Sequence, residues 1–229
     1  MVRRSLQNTL KNKVQAIYNM LKKILFFILL PFAVFADDCV QYKKTPFVNI
    51  KNPEWTKTVE LSDDPMDEYD GKYFSFKLHG ITETSFMEKY NIDFNVIPER
   101  DGYCVIVNGV DATVGYENFL VKIDKSHKKN SCSYNAVLKH EEKHIDAYLS
   151  ILRDLAPDIK NSIFNAMNSV MPIYAPDIES IDSLLEDMYK KLEKHPEIVL
   201  LHQKINAAQE IRNKRIDQNE DNHELKMCD

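Results

Sequence analysis

The chemistry of this 229-residue chain is concentrated in His140-Glu141-Glu142-Lys143-His144. On a helix, positions four apart share one face, so His140 and His144 can bind one metal ion. Glu141 lies one residue on, placed to face a water on that ion without being aimed as a ligand. Zinc lowers the pKa of bound water from about 15.7 towards 7, and a neighbouring glutamate can take its proton as the water attacks a carbonyl. These residue types at this spacing suit metal-assisted peptide hydrolysis, with Zn2+ as cofactor and Glu141 as general base.

The motif needs a helix, and its surroundings supply one. Val137, Leu138, Ile145, Tyr148, Leu149 and Leu152 recur at helical spacing, which makes the segment amphipathic. No glycine occurs after Asn130, and the periodicity predicts helices over 135–156, 158–170, 178–194 and 197–217, with Pro157, Pro172, Pro176 and Pro196 at or near their boundaries. Before residue 130 the pattern differs. Stretches 58–61, 73–78, 92–97, 103–107 and 119–123 are rich in β-branched and aromatic residues, and several alternate like half-buried strands. Asn108-Gly109 between apolar runs reads as a hairpin turn, and the acidic stretch 63–71 as a solvated turn. The fold class expected is α+β, with N-terminal antiparallel strands followed by a helical half that carries the metal helix. Within it, the 119–123 strand is expected to hold a peptide substrate by edge addition.

The arrangement resembles the zincin superfamily of metallopeptidases, and within it a family of predicted secreted bacterial zinc-dependent proteases. The resemblance rests on His140, Glu141 and His144, with Ser131-Cys132-Ser-Tyr-Asn leading into their helix and a charged, histidine-bearing segment near the C-terminus. It implies zinc, a catalytic Glu141 and proteolysis, and it names no substrate. A catalytic zinc takes three protein ligands and keeps one position open. The metzincin extension is missing, since its glycine position is Ala147 and its histidine position Ser150. The resemblance points instead to a C-terminal Asp followed by His, which makes His223 the first choice. Glu210 is a gluzincin-like alternative and Asp217 comes third.

Composition sets the context. Hydrophobic residues are 44% and charged residues 28%, enough for one packed core and unlike a disordered chain. Residues 1–36 hold Arg3, Arg4, Lys11, Lys13, Lys22 and Lys23 and no acid, and they end in an apolar run over 24–36. That run is too short to span a bilayer, which takes about 20 residues. It reads as a signal peptide cleaved after Ala36, with Met20 as an alternative start. The remainder, 37–229, is then one zincin-like catalytic domain, mainly strands to 130 and mainly helices beyond. It carries 24 basic against 35 acidic groups, which gives no basis for nucleic-acid binding. Cys39, Cys104, Cys132 and Cys228 all follow the cleavage site and predict two disulfides in an oxidising compartment, periplasmic or extracellular. A Cys132–Cys228 bridge would carry the C-terminal segment towards the metal helix. Cys104–Cys132 with Cys39–Cys228 would tie strands and termini together, and the spacing does not choose between them. Two other readings stay open at this level: a non-catalytic envelope binding protein, and an amidase of cell-wall peptides.

Overall fold

The computed structural model describes residues 39–63, 69–71, 74–76, 79–219 and 227–228. The chain divides into two units, Met1–Asp38 and Cys39–Asp229. The segment read as an export signal therefore lies outside the described residues, as does most of the acidic stretch 63–71.

A hairpin of two long strands, β5 (Gly80–Glu99) and β6 (Gly102–Asp124), is the spine of the sheet. It turns at Arg100-Asp101 and pairs antiparallel from Glu99↔Gly102 to Gly80↔Ile123. β5 occupies one edge of β6 along its length. The other edge takes three short strands in succession: β7 (Ile173–Ala175), antiparallel at Tyr103–Val105, then β1 (Phe47–Lys51) and β2 (Thr56–Ser62), both parallel. The sheet is therefore mixed, not antiparallel. Alternation of polar and apolar residues reports which face is buried and is blind to strand direction, so it gave no warning of this. Two three-residue strands, β3 (Tyr69–Gly71) and β4 (Phe74–Phe76), pair separately.

The Asn108-Gly109 turn does not exist. Asp93 pairs with Gly109 and Phe94 with Val107, leaving Asn108 as an extra residue in β6, a bulge in a continuous strand. A Cβ on Gly109 would come 2.9 Å from Phe47 Cδ1, so close cross-strand approach calls for the glycine there. Nor is the 119–123 strand an edge: its residues pair with β2 on one side and β5 on the other. No peptide can add to it.

One face of the sheet is covered by helices α1 (Cys132–Val170), α2 (Ile181–Glu193) and α3 (Pro196–Asn219). Ser131 caps α1, its Oγ accepting from Tyr134 N at 3.2 Å, which satisfies one otherwise unpaired N–H. Val137, Ile145, Leu152, Ile159 and Ile163 bury against β6 residues such as Val110, Val114, Phe119 and Val121. α1 runs unbroken through Pro157, where the sequence predicts a boundary. The proline removes one backbone bond, but Ile151 and Leu152 before it and Ile159 and Ile163 after it are all buried, and burial outweighs the local cost. Pro157 itself is exposed. Pro157→Ala should therefore stabilise the fold by about 1–2 kcal/mol, measured as a raised denaturant midpoint. An unchanged or lower midpoint would show that the bond is not missed.

The cysteines pair as Cys39–Cys104 and Cys132–Cys228. The first bridge closes 65 residues and the second 96. Among the described residues, no helix is long and apolar enough to cross a membrane.

Candidate metal centre

α3 lies antiparallel to α1. Lys204 meets Asp158, Arg212 meets Ser150 and Asp154, Asn213 meets His144, and Asp217 reaches His140 and His144. This packing brings the last turn of α3 over the motif in α1. His140 Nε2 and His144 Nε2 are 3.2 Å apart. Asp217 Oδ1 is 3.4 Å from the first and 3.1 Å from the second. A tetrahedral ion about 2.0–2.1 Å from each ligand keeps its ligand atoms about 3.3–3.4 Å apart. The three atoms thus form a triangle of the size that one face of a zinc tetrahedron requires, and among the described residues they are the one group of three that fits a metal ion.

The third residue of this group is Asp217, the last of the three sequence choices. His223 lies outside the described residues. Glu210 is exposed and sits two helical turns before Asp217, about 10 Å along α3, level with the wrong part of α1. One turn before Asp217, Asn213 accepts from His144 Nδ1 through Oδ1 at 3.0 Å and donates through Nδ2 to the Tyr148 hydroxyl at 3.2 Å. Held on Nδ1, the proton of a neutral His144 would leave Nε2 with a lone pair facing the cluster. Asn213 was invisible to motif reading, although Asn213 and Asp217 stand at the same four-residue spacing as the histidines. Tyr148, read as core, does pack on Tyr116 and Phe119 and also carries this contact. Asp146, two residues after His144, is exposed. Asn213→Ala should weaken metal binding about 10–100-fold, read by chelator competition. Affinity equal to wild type would remove Asn213 from the site.

Glu141 is buried, with 3% exposure. Its Oε2 accepts from Thr82 Oγ1 at 2.8 Å, and Oε1 lies over Gly80, where a Cβ would come within 2.8 Å of it and 2.7 Å of Val137 Cγ1. β5 therefore supplies both a hydrogen bond and a gap for this carboxylate. Gly80→Ala should displace the Glu141 carboxyl at a cost of about 1–3 kcal/mol in stability while leaving metal affinity intact. Equal stability would show that the gap is not needed.

The charges favour a cation. Burial works to raise the Asp217 carboxyl, but hydrogen bonds from His140 and His144 and their charges prevail and hold it down to about 2. Burial opposes the charged His144, yet its bonds to Asp217 and Asn213 and the nearby Glu141 raise it overall. Burial lifts the Glu141 carboxyl above its ordinary range against the Thr82 bond and the two histidines. Two carboxylates thus face two imidazoles, and the His140 and Asp217 side chains stay 28% and 40% exposed.

Comparison with family models, with curated proteins and with solved structures finds no match to the chain. Its reading rests on this geometry.

His79 and His127 lie against each other, with Nδ1 and Nε2 2.9 Å apart, His127 being buried. His202 reaches Glu88 at 2.8 Å, and His195 meets Ser169 at 2.6 Å. None of these four joins the cluster of His140, His144 and Asp217.

Proposed function

We propose that the chain is an exported, zinc-dependent peptidase in which His140, His144 and Asp217 hold the metal and Glu141 is the general base. The observation that carries this reading is the triangle of candidate ligand atoms, 3.1 to 3.4 Å on a side, with two corners on the same helical turn as a buried carboxylate. The donor set of two imidazoles and one carboxylate suits zinc with an open position. Bound there, zinc would polarise a carbonyl and acidify a water.

The chain's own residues do the rest. Thr82 holds one oxygen of Glu141, and Gly80 leaves room for the other, so the carboxyl is fixed in orientation. Its raised affinity for protons suits a group that must take one and pass it to a leaving amine. The substrate strand is β5 in place of the 119–123 strand. Among the described residues, nothing pairs with the outer edge of β5, and Thr82 and Gly80 belong to it. A peptide added along that edge would run beside Glu141. The two disulfides suit an oxidising compartment.

Metal analysis of the purified protein, with hydrolysis of a mixed peptide library by the zinc-loaded form, tests the proposal. One zinc per chain and cleavage abolished by a chelator are expected. No zinc uptake would sink it, and zinc uptake without cleavage of any peptide would favour a binding protein.

A further inference from the structure

Apolar anchoring of α3 stops half-way along the helix. Ile198, Leu201 and Ile205 are buried, but none of residues 206–218 is, and Ile211 is 54% exposed. The side-chain bonds of this second half run from Gln209 to Tyr116, Arg212 to Ser150 and Asp154, Asn213 to His144 and Tyr148, and Asp217 to the histidines, with Ile216 only half-buried beside them. Asp217 stands in the last turn, two residues before the helix ends at Asn219, and that turn has no basic residue. Final carbonyls lack helical partners, helix ends fray at little free-energy cost, and an ionised carboxylate there opposes the helix dipole. A metal ligand in such a place needs a tether. Cys228, eleven residues after Asp217, is bonded to Cys132, the first residue of the helix that bears His140 and His144.

We infer that the Cys132–Cys228 bond is a redox latch on the metal centre, holding the end of α3 where Asp217 completes the ligand set. This rests on the metal reading proposed above. Closing the latch oxidises two thiols. Their two electrons and two protons pass to a disulfide-bearing oxidant, which leaves as a dithiol. In a reducing compartment the bond stays open and Asp217 is released, so the site is latent until the chain reaches an oxidising one.

The test uses the full chain as wild type, as the pair Cys132→Ser with Cys228→Ser, and as the control pair Cys39→Ser with Cys104→Ser. Zinc affinity is read by chelator competition, and hydrogen exchange is followed at the amides of 213–219 and 198–205. Loss of the Cys132–Cys228 bond should weaken zinc about 10–100-fold and deprotect 213–219 while 198–205 stays protected. The control pair should retain both properties. In an Asp217→Ala background, removing the bond should weaken zinc no further. Equal affinity and equal exchange at 213–219 with and without the bond would overturn the latch. If the wild type takes up no zinc, the metal reading fails, and exchange in zinc-free protein still decides whether the bond holds the helix end. Mild reduction and reoxidation of the wild type give the same comparison if the serine pair does not fold.

Discussion

Glu141→Gln should reduce peptide hydrolysis by about 10²–10⁴ and leave zinc bound at full stoichiometry. The carboxyl is not among the three ligand atoms, so the metal has no direct reason to leave. Glutamine keeps an oxygen to accept from Thr82, which donates at 2.8 Å, so the side chain keeps its place but cannot take a proton. A second consequence runs opposite to the first. Burial raises the Glu141 carboxyl above its ordinary value, so the folded state disfavours its charged form. A group shifted in this direction contributes its full stability below the unfolded pKa and loses it as pH rises through the folded one. The zinc-free glutamine variant carries no such loss. It should equal wild type in denaturant resistance at acid pH and exceed it at neutral pH. Hydrolysis that survives the substitution would remove Glu141 from the chemistry, and a stability difference independent of pH would remove the burial argument.

The parts of this architecture that could be read in advance are those in which one face repeats without interruption. His140, Glu141 and His144 lie on an amphipathic segment, and α1 carries them where expected. β6 shows the opposite case. Its side chains are buried at every position from 104 to 107, then at 110, 112, 114 and 116, then at 119, 121 and 123, so the pattern changes twice. Each change coincides with a shift in the β5–β6 register, near Asn108 and between Thr84 and Phe86. A reader of alternation finds three short strands where one long strand passes through two bulges. Pro157 misled for a related reason: local propensity signals a boundary, and burial on both sides overrides it. Asp217 is a different matter. A candidate ligand from a second helix depends on how two helices cross, and no local pattern reports that. The cue that did exist, Asn213 and Asp217 four apart on a polar helix end, acquires meaning only once α3 is docked on α1.

Asp217→Ala should cost more than about 100-fold in zinc affinity, beyond the usual effect of removing a supporting contact, whereas Glu210→Ala should cost nothing. Removing Asp217 leaves His140 and His144 as the described ligands and withdraws the negative charge that faces both imidazoles at 3.4 and 3.1 Å. Two neutral imidazoles retain a cation far less well than two imidazoles and a carboxylate. Asp217→Asn separates the two contributions. It keeps an oxygen within reach and loses the charge, so its affinity should fall between wild type and alanine. His223→Ala is the informative partner, since the resemblance points to His223 as the third ligand and the triangle points to Asp217. Zinc binding unchanged by Asp217→Ala but lost with His223→Ala would transfer the ligand role to His223. Loss with Asp217→Ala alone would settle a set of two histidines and one aspartate, supplied by two antiparallel helices.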